Sequence, residues 1–403
     1  MSRAEPSLID RRLLLRGAGV LGGLNLVGLG GCITPTSARS GAAVVPAARP
    51  TPTIPMARLR VSEDRLFDVT VCLRPFRAAG PRLETEQVGD TFVVHNYGHG
   101  GIGWSLSWGS GAQAVRMAMA SSPAEIAVVG CGALGLTAAT LARRAGAKVT
   151  IYAKEYLPET RSSRATGSWT PDSRIALSGQ TPPGFAERWE EMARFSFKTY
   201  RSYLGLPGTP VEWVDRYLVP GGDHNTVGPA GGLDFAGYSG LISDITPKSE
   251  LVPAGATPLT MQPMRRFSQM RFNIADYGHT LMDDFLLAGG HIVRRTFNAP
   301  AEIAALPQKV VINCTGYGAR ALWKDESLEP VRGQIAWLIP QPEVNYGLFY
   351  RDVYVLPRSD GIVVQAVEGG DLKGYNDDHE VVDRGEAERA VGVIEELYSR
   401  VRR

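Results

Sequence analysis

Residues 125–155 read EIAVVGCGALGLTAATLARRAGAKVTIYAKE, and no other segment limits the fold as strongly. Ile126–Val129 is a short apolar run of the kind buried on both faces of a parallel sheet. Glycines follow at Gly130, Gly132 and Gly135, and then apolar and small residues recur at helical spacing up to Gly146. KVTIYAKE supplies a second strand. A strand, a helix and a parallel strand in succession commit this part of the chain to an α/β fold. Each glycine has its own task. Gly130 permits the tight turn, Gly132 lets backbone N–H groups approach a pyrophosphate, and Gly135 lets the helix lie against the sheet. The helix start then faces negative charge. Glu155, closing the second strand, is placed to hold a ribose diol. The loop predicts dinucleotide binding but does not by itself separate FAD from NAD. The bland alternative is a tight turn in an unrelated α/β domain.

Composition excludes some partners. The chain has 403 residues, 44% of them apolar, enough for one large or two ordinary domains. Its net charge of +2 comes from the first 31 residues, where Arg3, Arg11, Arg12 and Arg16 outnumber Glu5 and Asp10. The remainder is neutral, which argues against nucleic acid as a partner. Four cysteines, Cys32, Cys72, Cys131 and Cys314, are too few for a disulfide framework. The charged start itself reads as a targeting segment. Arg11-Arg12 precedes a glycine-rich apolar run from Gly17 to Gly31, whose helix would span roughly 22 Å, too short for a bilayer core. The run ends in Leu29-Gly30-Gly31-Cys32, which looks like a lipobox. The expectation is export of an already folded protein by a twin-arginine route. Lipidation at Cys32 would then anchor it to a membrane facing the periplasm or the cell exterior. Residues 33–57, rich in Pro, Ala, Ser and Thr, are expected to be an extended tether.

A second glycine-rich stretch precedes the first. Phe92–His95 reads as a strand, glycines follow, and WSLSWGSGAQAVRMAMA turns helical. Gly100 to Ser105 are therefore expected at a helix N-terminus, whose dipole favours an anion. His95-Asn96-Tyr97-Gly98-His99-Gly100-Gly101-Ile102-Gly103, followed by Gly109 and Ala112, resembles the signature of the D-amino-acid oxidase family of flavoenzymes. Other stretches resemble that family too. CLRPFRAAGPRLETEQ resembles the strand bearing the substrate-carboxylate arginine. IYAKEYLPETRSSRATGSWTP resembles the ribose strand and a flavin-contacting loop. VVINCTGYGARAL and PVRGQI resemble the flavin-side strand and the crossing to a substrate domain, and YRDVYVLP an active-site strand. The landmarks cover most of residues 68–365. Residues 175–277 carry none, and the glycine-rich part beginning PGGDHNTVG looks like a long surface loop.

The resemblance implies an α/β chain: a Rossmann-like βαβ FAD-binding domain (residues 90–175 and 272–322) beside a mixed-sheet α+β substrate domain (58–89, 176–271 and 323–403). An export signal (1–32) and the tether (33–57) would precede them. The order of segments departs from the family, whose members begin with the glycine loop and end with the RP and HNYGHGG segments. The chain thus looks like a circular permutation, its new ends opening near Arg58 and Arg403. FAD contacts are implied for Gly130, Gly132, Ala133, Leu134, Gly135, Glu155, Arg161, Ser162, Thr166, Gly167, Ser168 and Thr315. They are also implied for Gly100, Gly101, Ile102, Gly103, Trp104 and Ser105. Arg161 stands where small hydroxyl residues are common; it could pair with a phosphate or face solvent. Trp104, Trp108 and Trp169 are expected around the cofactor.

The implied reaction is oxidation of a D-amino acid. A hydride leaves Cα for the flavin, and hydrolysis of the imino acid gives a 2-oxo acid and ammonia. O₂ or another electron acceptor then reoxidises the flavin. Arg74, in LRPF, matches the α-carboxylate position; a guanidinium fork suits a carboxylate. Arg77 and Arg82 are expected to be structural. Tyr354 matches a carboxylate hydrogen-bond donor and Tyr350 a pocket lid. Read as one extended strand, the two share a face; ordinary core packing is the alternative. The Gly101 backbone would take the substrate amine. If the amine binds neutral, no side chain need act as base. His95 and His99 lie in a glycine-rich segment without a third ligand, so no metal is expected, and Cys131 and Cys314 are expected to be packing residues. For an acidic substrate, Arg265, Arg266 and Arg351 are the candidates for a second carboxylate. A homodimer is among the states the resemblance allows.

Overall fold

The glycine loop sits where a six-stranded sheet meets its helices. The computed structural model describes residues 54–221 and 233–401. Strands are numbered in chain order. The six-stranded sheet holds β2 (Thr85–Val88), β3 (Thr91–His95), β4 (Glu125–Val129), β5 (Lys148–Ala153), β9 (His291–Arg294) and β10 (Val310–Asn313). Their order is β2-β3-β10-β4-β5-β9, with every pair parallel except β2 with β3. β4, helix α2 (Ala133–Arg144) and β5 form the βαβ unit expected from the sequence. Helix α1 (Gly103–Ala118) follows β3, and α3 (Phe185–Tyr200) and α4 (Ile274–Leu287) join the same helical layer.

The glycines of α1 let neighbours come close. Each interior helical glycine costs about 1 kcal/mol of propensity relative to alanine. A Cβ at Gly109 would meet the Met192 carbonyl of α3 at 2.1 Å, and one at Gly111 would touch Ala138 of α2 at 3.4 Å. Backbone-to-backbone contact thus offsets the propensity. Helix α3 and strand β2 were expected in the substrate domain; α3 packs on α1 and β2 pairs with β3, because the covering helices and edge strand of the six-stranded sheet come from both sides of the glycine loop.

The second sheet has eight strands. They are β1 (Leu66–Phe76), β6 (Val211–Leu218), β7 (Glu250–Val252), β8 (Met264–Phe272), β11 (Glu329–Leu338), β12 (Tyr346–Tyr350), β13 (Val353–Arg358) and β14 (Gly361–Ala366). The order is β1-β11-β14-β13-β12-β6-β8-β7, antiparallel except for β12 with β6. Short helices α5 (Pro300–Ala304) and α6 (Ala319–Leu322) flank β10. Helix α7 (Arg384–Ser399) is capped by Asp383, whose carboxylate accepts the Glu386 N–H at 2.9 Å. Its Ala387, Ala390, Val391, Ile394, Leu397 and Tyr398 recur at three-to-four spacing and are buried against this sheet.

The last residues of the expected tether are not free. Ile54 donates its N–H to the Ala256 carbonyl at 2.5 Å, and Tyr346 donates its hydroxyl to the Ala57 carbonyl at 2.7 Å. Apolar Ile54 and Met56 follow the polar stretch and pack on the sheet core, which anchors the chain before Arg58. Arg58 then donates to the Tyr398 carbonyl at 2.7 Å, so the start of the described chain lies against its last helix. The export signal, the lipobox with Cys32 and most of the tether lie outside the described residues, as does part of the glycine-rich loop after Pro220. Among the described residues no helix is long and apolar enough to cross a membrane.

Candidate active site

A cavity of about 570 Å³ lies between the two sheets, within the usual range for small-molecule sites. Its wall on the six-stranded side includes Gly130, Gly132, Ala133, Leu134, Glu155 and Thr315. The start of α1 adds Gly101, Ile102, Gly103, Trp104 and Ser105, and the loop after β5 adds Arg161, Ser162, Thr166, Gly167 and Ser168. The eight-stranded side contributes Arg74 from β1, Arg216 from β6, Tyr354 from β13 and Gln365 from β14. The two glycine-rich stretches therefore line one cavity, although the sequence separates them and reverses their expected order.

Close approach explains the glycine loop. Gly130 has φ +108°, which glycine adopts readily and other residues rarely. A Cβ at Gly135 would sit 1.9 Å from the Gly130 carbonyl oxygen, so the helix could not begin there with any larger residue. Gly135 does not line the cavity itself; it shapes the turn behind it. Ser162 bridges the two helix starts: its hydroxyl accepts the Ala133 N–H at 3.1 Å and its carbonyl accepts the Trp104 indole N–H at 2.8 Å. Ser105 accepts the Thr170 N–H at 2.9 Å. Thr315 donates to Asn313 at 2.8 Å, and Thr166 to Gln365 at 3.0 Å. Glu155 sits on the wall beside Lys154, 3.4 Å away. Arg161 pairs with Glu380, so a carboxylate already occupies the guanidinium expected to meet phosphate or solvent.

Arg74 is built into place. Gly101, with φ +99°, lies under its stem, where a Cβ would approach Arg74 Cδ to 2.4 Å. Gly333 of β11 lies under its head, where a Cβ would approach Nη2 to 2.3 Å. Among the described residues no carboxylate pairs with this guanidinium, although it lines the cavity. Gly100 stands behind, pressed on the Arg174 carbonyl, and does not line the cavity. Arg77 and Arg82 have structural partners: Ser327 at 2.8 Å and the Tyr97 hydroxyl at 2.8 Å.

The tyrosine pair is corrected. Arg351 and Asp352 both have positive φ, 44° and 57°, and form a two-residue hairpin turn between β12 and β13. Tyr354 pairs across with Phe349, so Tyr350 points to the opposite face. Tyr354 lines the cavity; Tyr350 is buried on the side of the sheet that carries α7, its hydroxyl 3.5 Å from Arg400. The candidates for a second carboxylate are likewise elsewhere. Arg265 bonds Ser249 at 2.8 Å, Arg266 pairs with Glu250 at 2.7 Å, and Arg351 pairs with Glu396 at 2.9 Å; none of the three lines the cavity. Sequence reasoning missed Arg216 and Arg174, which do line it.

The remaining singled-out residues are buried among protein partners, though His99, Cys131 and Cys314 also line the cavity. Trp108 is fully buried and donates to Tyr277 at 2.6 Å, and Trp169 packs on Phe197; neither lines the cavity, because both face the helical layer. His95 contacts Glu86 at 2.9 Å and Asn313 at 3.0 Å. His99 contacts Ser110 at 2.8 Å, and burial pushes its pKa down to about 3. Cys131 and Cys314 are buried, and burial raises the Cys131 thiol to about 12.

These parts fit FAD. A helix start reached through glycines, with the Ser162 hydroxyl on the Ala133 N–H, can receive a pyrophosphate, Glu155 a ribose, and the α1 start the far end of a long cofactor. A glycine-rich wall facing an arginine without a carboxylate partner suits a nucleotide cofactor beside a small anionic molecule. The sequence model of the FAD dependent oxidoreductase (DAO) family matches residues 125–403. The chain is 27% identical over 265 residues to a D-amino-acid oxidase of Streptomyces coelicolor, covering 64% of this chain and 74% of that protein. It is 26% identical over 255 residues to a D-amino acid oxidase of Dugesia ryukyuensis, covering 60% and 68%. Glycine oxidase from Geobacillus kaustophilus aligns in structure over 68% of this chain and 79% of that one, with TM-score 0.46 and 14% identity. The chain belongs to the DAO family of FAD-dependent oxidoreductases and is an enzyme acting on amine or amino-acid substrates.

Proposed function

We propose that the enzyme oxidises a D-amino acid to a 2-oxo acid and ammonia, with O₂ as the electron acceptor and hydrogen peroxide as co-product. The observation that carries the reading is the unpaired Arg74 guanidinium held over Gly101 and Gly333 inside the FAD cavity. Arg74 binds the α-carboxylate through its fork, and the Tyr354 hydroxyl donates a third hydrogen bond. The Gly101 carbonyl receives the neutral amine, which fixes the Cα–H direction. When bound, FAD supplies the acceptor for the hydride from Cα. The imino acid leaves the cavity, and hydrolysis follows outside. The test is anaerobic addition of D- and L-amino acid panels to the flavin-loaded protein. Bleaching of the band near 450 nm by D-isomers alone, with peroxide formed on readmitting O₂, is expected. Bleaching by L-isomers, or by no amino acid, refutes the assignment.

The start of the chain carries a second proposal: export through a twin-arginine route, lipidation at Cys32 and an outward-facing membrane anchor. The Arg11-Arg12 pair and the Leu29–Cys32 lipobox support it. Mass spectrometry of membrane-fraction protein should find a diacylglyceryl Cys32 as the first residue; a free or internal Cys32 refutes it. We also propose that the segment order is a circular permutation of that in the family. β1, β3 and α1 precede residue 125 yet complete both sheets and the cavity, and Arg58 lies against Tyr398. A chain with residues 58–124 moved behind residue 401 through a short linker should bind FAD; a rearranged chain that folds without binding it refutes the equivalence.

A further inference from the structure

Among the described residues seven cationic side chains line the cavity: Arg74, Lys154, Arg161, Arg174, Arg216, Arg295 and Lys373. Four already face a carboxylate. Lys154 lies by Glu155, Arg161 pairs with Glu380, Arg174 with Asp371 at 2.9 Å, and Lys373 with Glu368 at 2.9 Å. Arg295 is exposed and stacks on Phe297. That leaves Arg74, the proposed α-carboxylate ligand, and Arg216.

Arg216 is placed by its strand neighbours. Its cross-strand partner on β12 is Gly347, which has no side chain to stand between β6 and β13. The guanidinium therefore leans across to the Tyr354 ring, 3.8 Å from its centroid. Phe267 of β8 lies on another side at 5.6 Å. Among the described residues its one polar contact is a long bond of 3.4 Å from Nη1 to Gln269, and Nε is buried without a partner. The nearby carboxylates are engaged elsewhere: Asp215 holds Arg266 and Ser268, and Glu212 holds Arg271. A five-donor cation is thus left almost wholly unsatisfied beside the tyrosine assigned to the substrate. An unpaired charge of this kind is costly to seal away, and an anion supplied by a ligand removes the cost.

We infer that Arg216 is a second anion-binding residue of the substrate cavity, and that the preferred substrate is an amino dicarboxylate whose side-chain carboxylate pairs with it. The inference rests on the amino-acid oxidation proposed above. Arg74 takes the α-carboxylate and Arg216 the side-chain carboxylate, with the Tyr354 ring under the Arg216 guanidinium and its hydroxyl 3.5 Å from Gln269. A neutral side chain of equal size would close the cavity on an uncompensated guanidinium.

The test uses the full, FAD-loaded chain. D-aspartate and D-glutamate are compared with D-asparagine and D-glutamine, which differ only at the side-chain terminus. The acids are expected to exceed the amides in kcat/KM by about 100-fold or more. Arg216→Met is expected to abolish that ratio, the acids losing far more than the amides, with Arg216→Lys restoring part of it. Independently of turnover, succinate and glutarate should bind at least about 100-fold tighter than propionate and butyrate, read from the flavin spectrum and by calorimetry. Arg216→Met should erase that gap too. Equal use of acids and amides by the wild-type enzyme overturns the inference, even where D-amino acids are oxidised. So does a variant that loses FAD or loses all substrates alike, since Arg216 would then serve the cofactor or the fold. If the variant does not fold, the wild-type acid-to-amide and dicarboxylate-to-monocarboxylate ratios decide. Arg216-dependent dicarboxylate binding without flavin reduction would uphold the anion site and refute the oxidation chemistry.

Discussion

Replacing Gly333 by alanine isolates the position of Arg74 from its chemistry. An alanine Cβ would lie 2.3 Å from Nη2, 2.5 Å from Cζ and 3.0 Å from Nε of Arg74. Ordinary contacts of that type are roughly 3.5–4.0 Å, so the head group must retreat by about 1–1.5 Å. Gly333 lies within β11, pairing with Cys72, where alanine is at home in a strand and lowers the entropy of the unfolded chain. The clash falls on the far end of a flexible side chain, so the fold should lose little. A displacement of about 1 Å at a positioning group is worth roughly 100-fold in rate. The expectation is a fall of about 100-fold in kcat/KM, carried mainly by KM, with Tm unchanged within a few degrees and full flavin content. Oxygen uptake, calorimetry and the 450 nm to 280 nm absorbance ratio measure the three quantities. The double variant Arg74→Ala/Gly333→Ala should be no worse than Arg74→Ala alone, because the two changes disable one contact. Wild-type kinetics for Gly333→Ala, or additive losses in the double variant, would refute the assignment of Arg74.

Three further outcomes follow from the geometry. Gly135→Ala drives a Cβ into the Gly130 carbonyl; flavin content should collapse and stability fall by about 1–3 kcal/mol, and a variant purified with full flavin and unchanged urea midpoint would contradict this. Tyr354→Phe should lower kcat/KM at least about tenfold while Tyr350→Phe stays within twofold, since only Tyr354 lines the cavity; the reverse order would invert the hairpin assignment. His99 is neutral when folded, with its pKa near 3 against about 6.5 unfolded, so the unfolded chain binds the extra proton between those values. Its stability contribution is complete above pH 6.5 and is lost as pH falls toward 3, at up to about 1.4 kcal/mol per pH unit. Urea midpoints from pH 8 to 5 should fall more steeply for the wild type than for His99→Asn, and parallel curves would refute it.

The βαβ unit, the strand before the second glycine stretch and the amphipathic last helix were legible because each is written in local periodicity. The convergence of Gly101 and Gly132 on one cavity was legible only through long glycine-rich motifs. The Tyr350–Tyr354 geometry was not, because Arg351-Asp352 lacks the glycine that usually marks a two-residue hairpin, yet both residues take positive φ. Spacing on an assumed single strand then placed the two rings on one face. Arg216 was hidden for a different reason. It sits in VEWVDRYL, a strand with no motif, and its access to the cavity depends on pairing with Gly347, more than a hundred residues away. Arg265 and Arg266 attract attention as adjacent charges, but Ser249, Glu250 and Asp215 satisfy them at the edge of the sheet.

β1, β2, β3 and α1 are consecutive, so the arginine over Gly101 and the helix that starts beside it belong to one uninterrupted run of chain. That run is stitched to β11 on one side and to β10 on the other. Because the run is tied to both layers, shearing them past each other would pull Arg74 away from Gly101, so their spacing is kept only while the two sheets stay in register. The Arg174–Asp371 pair at the cavity wall is a second tie, joining the loop before α3 to the segment after β14.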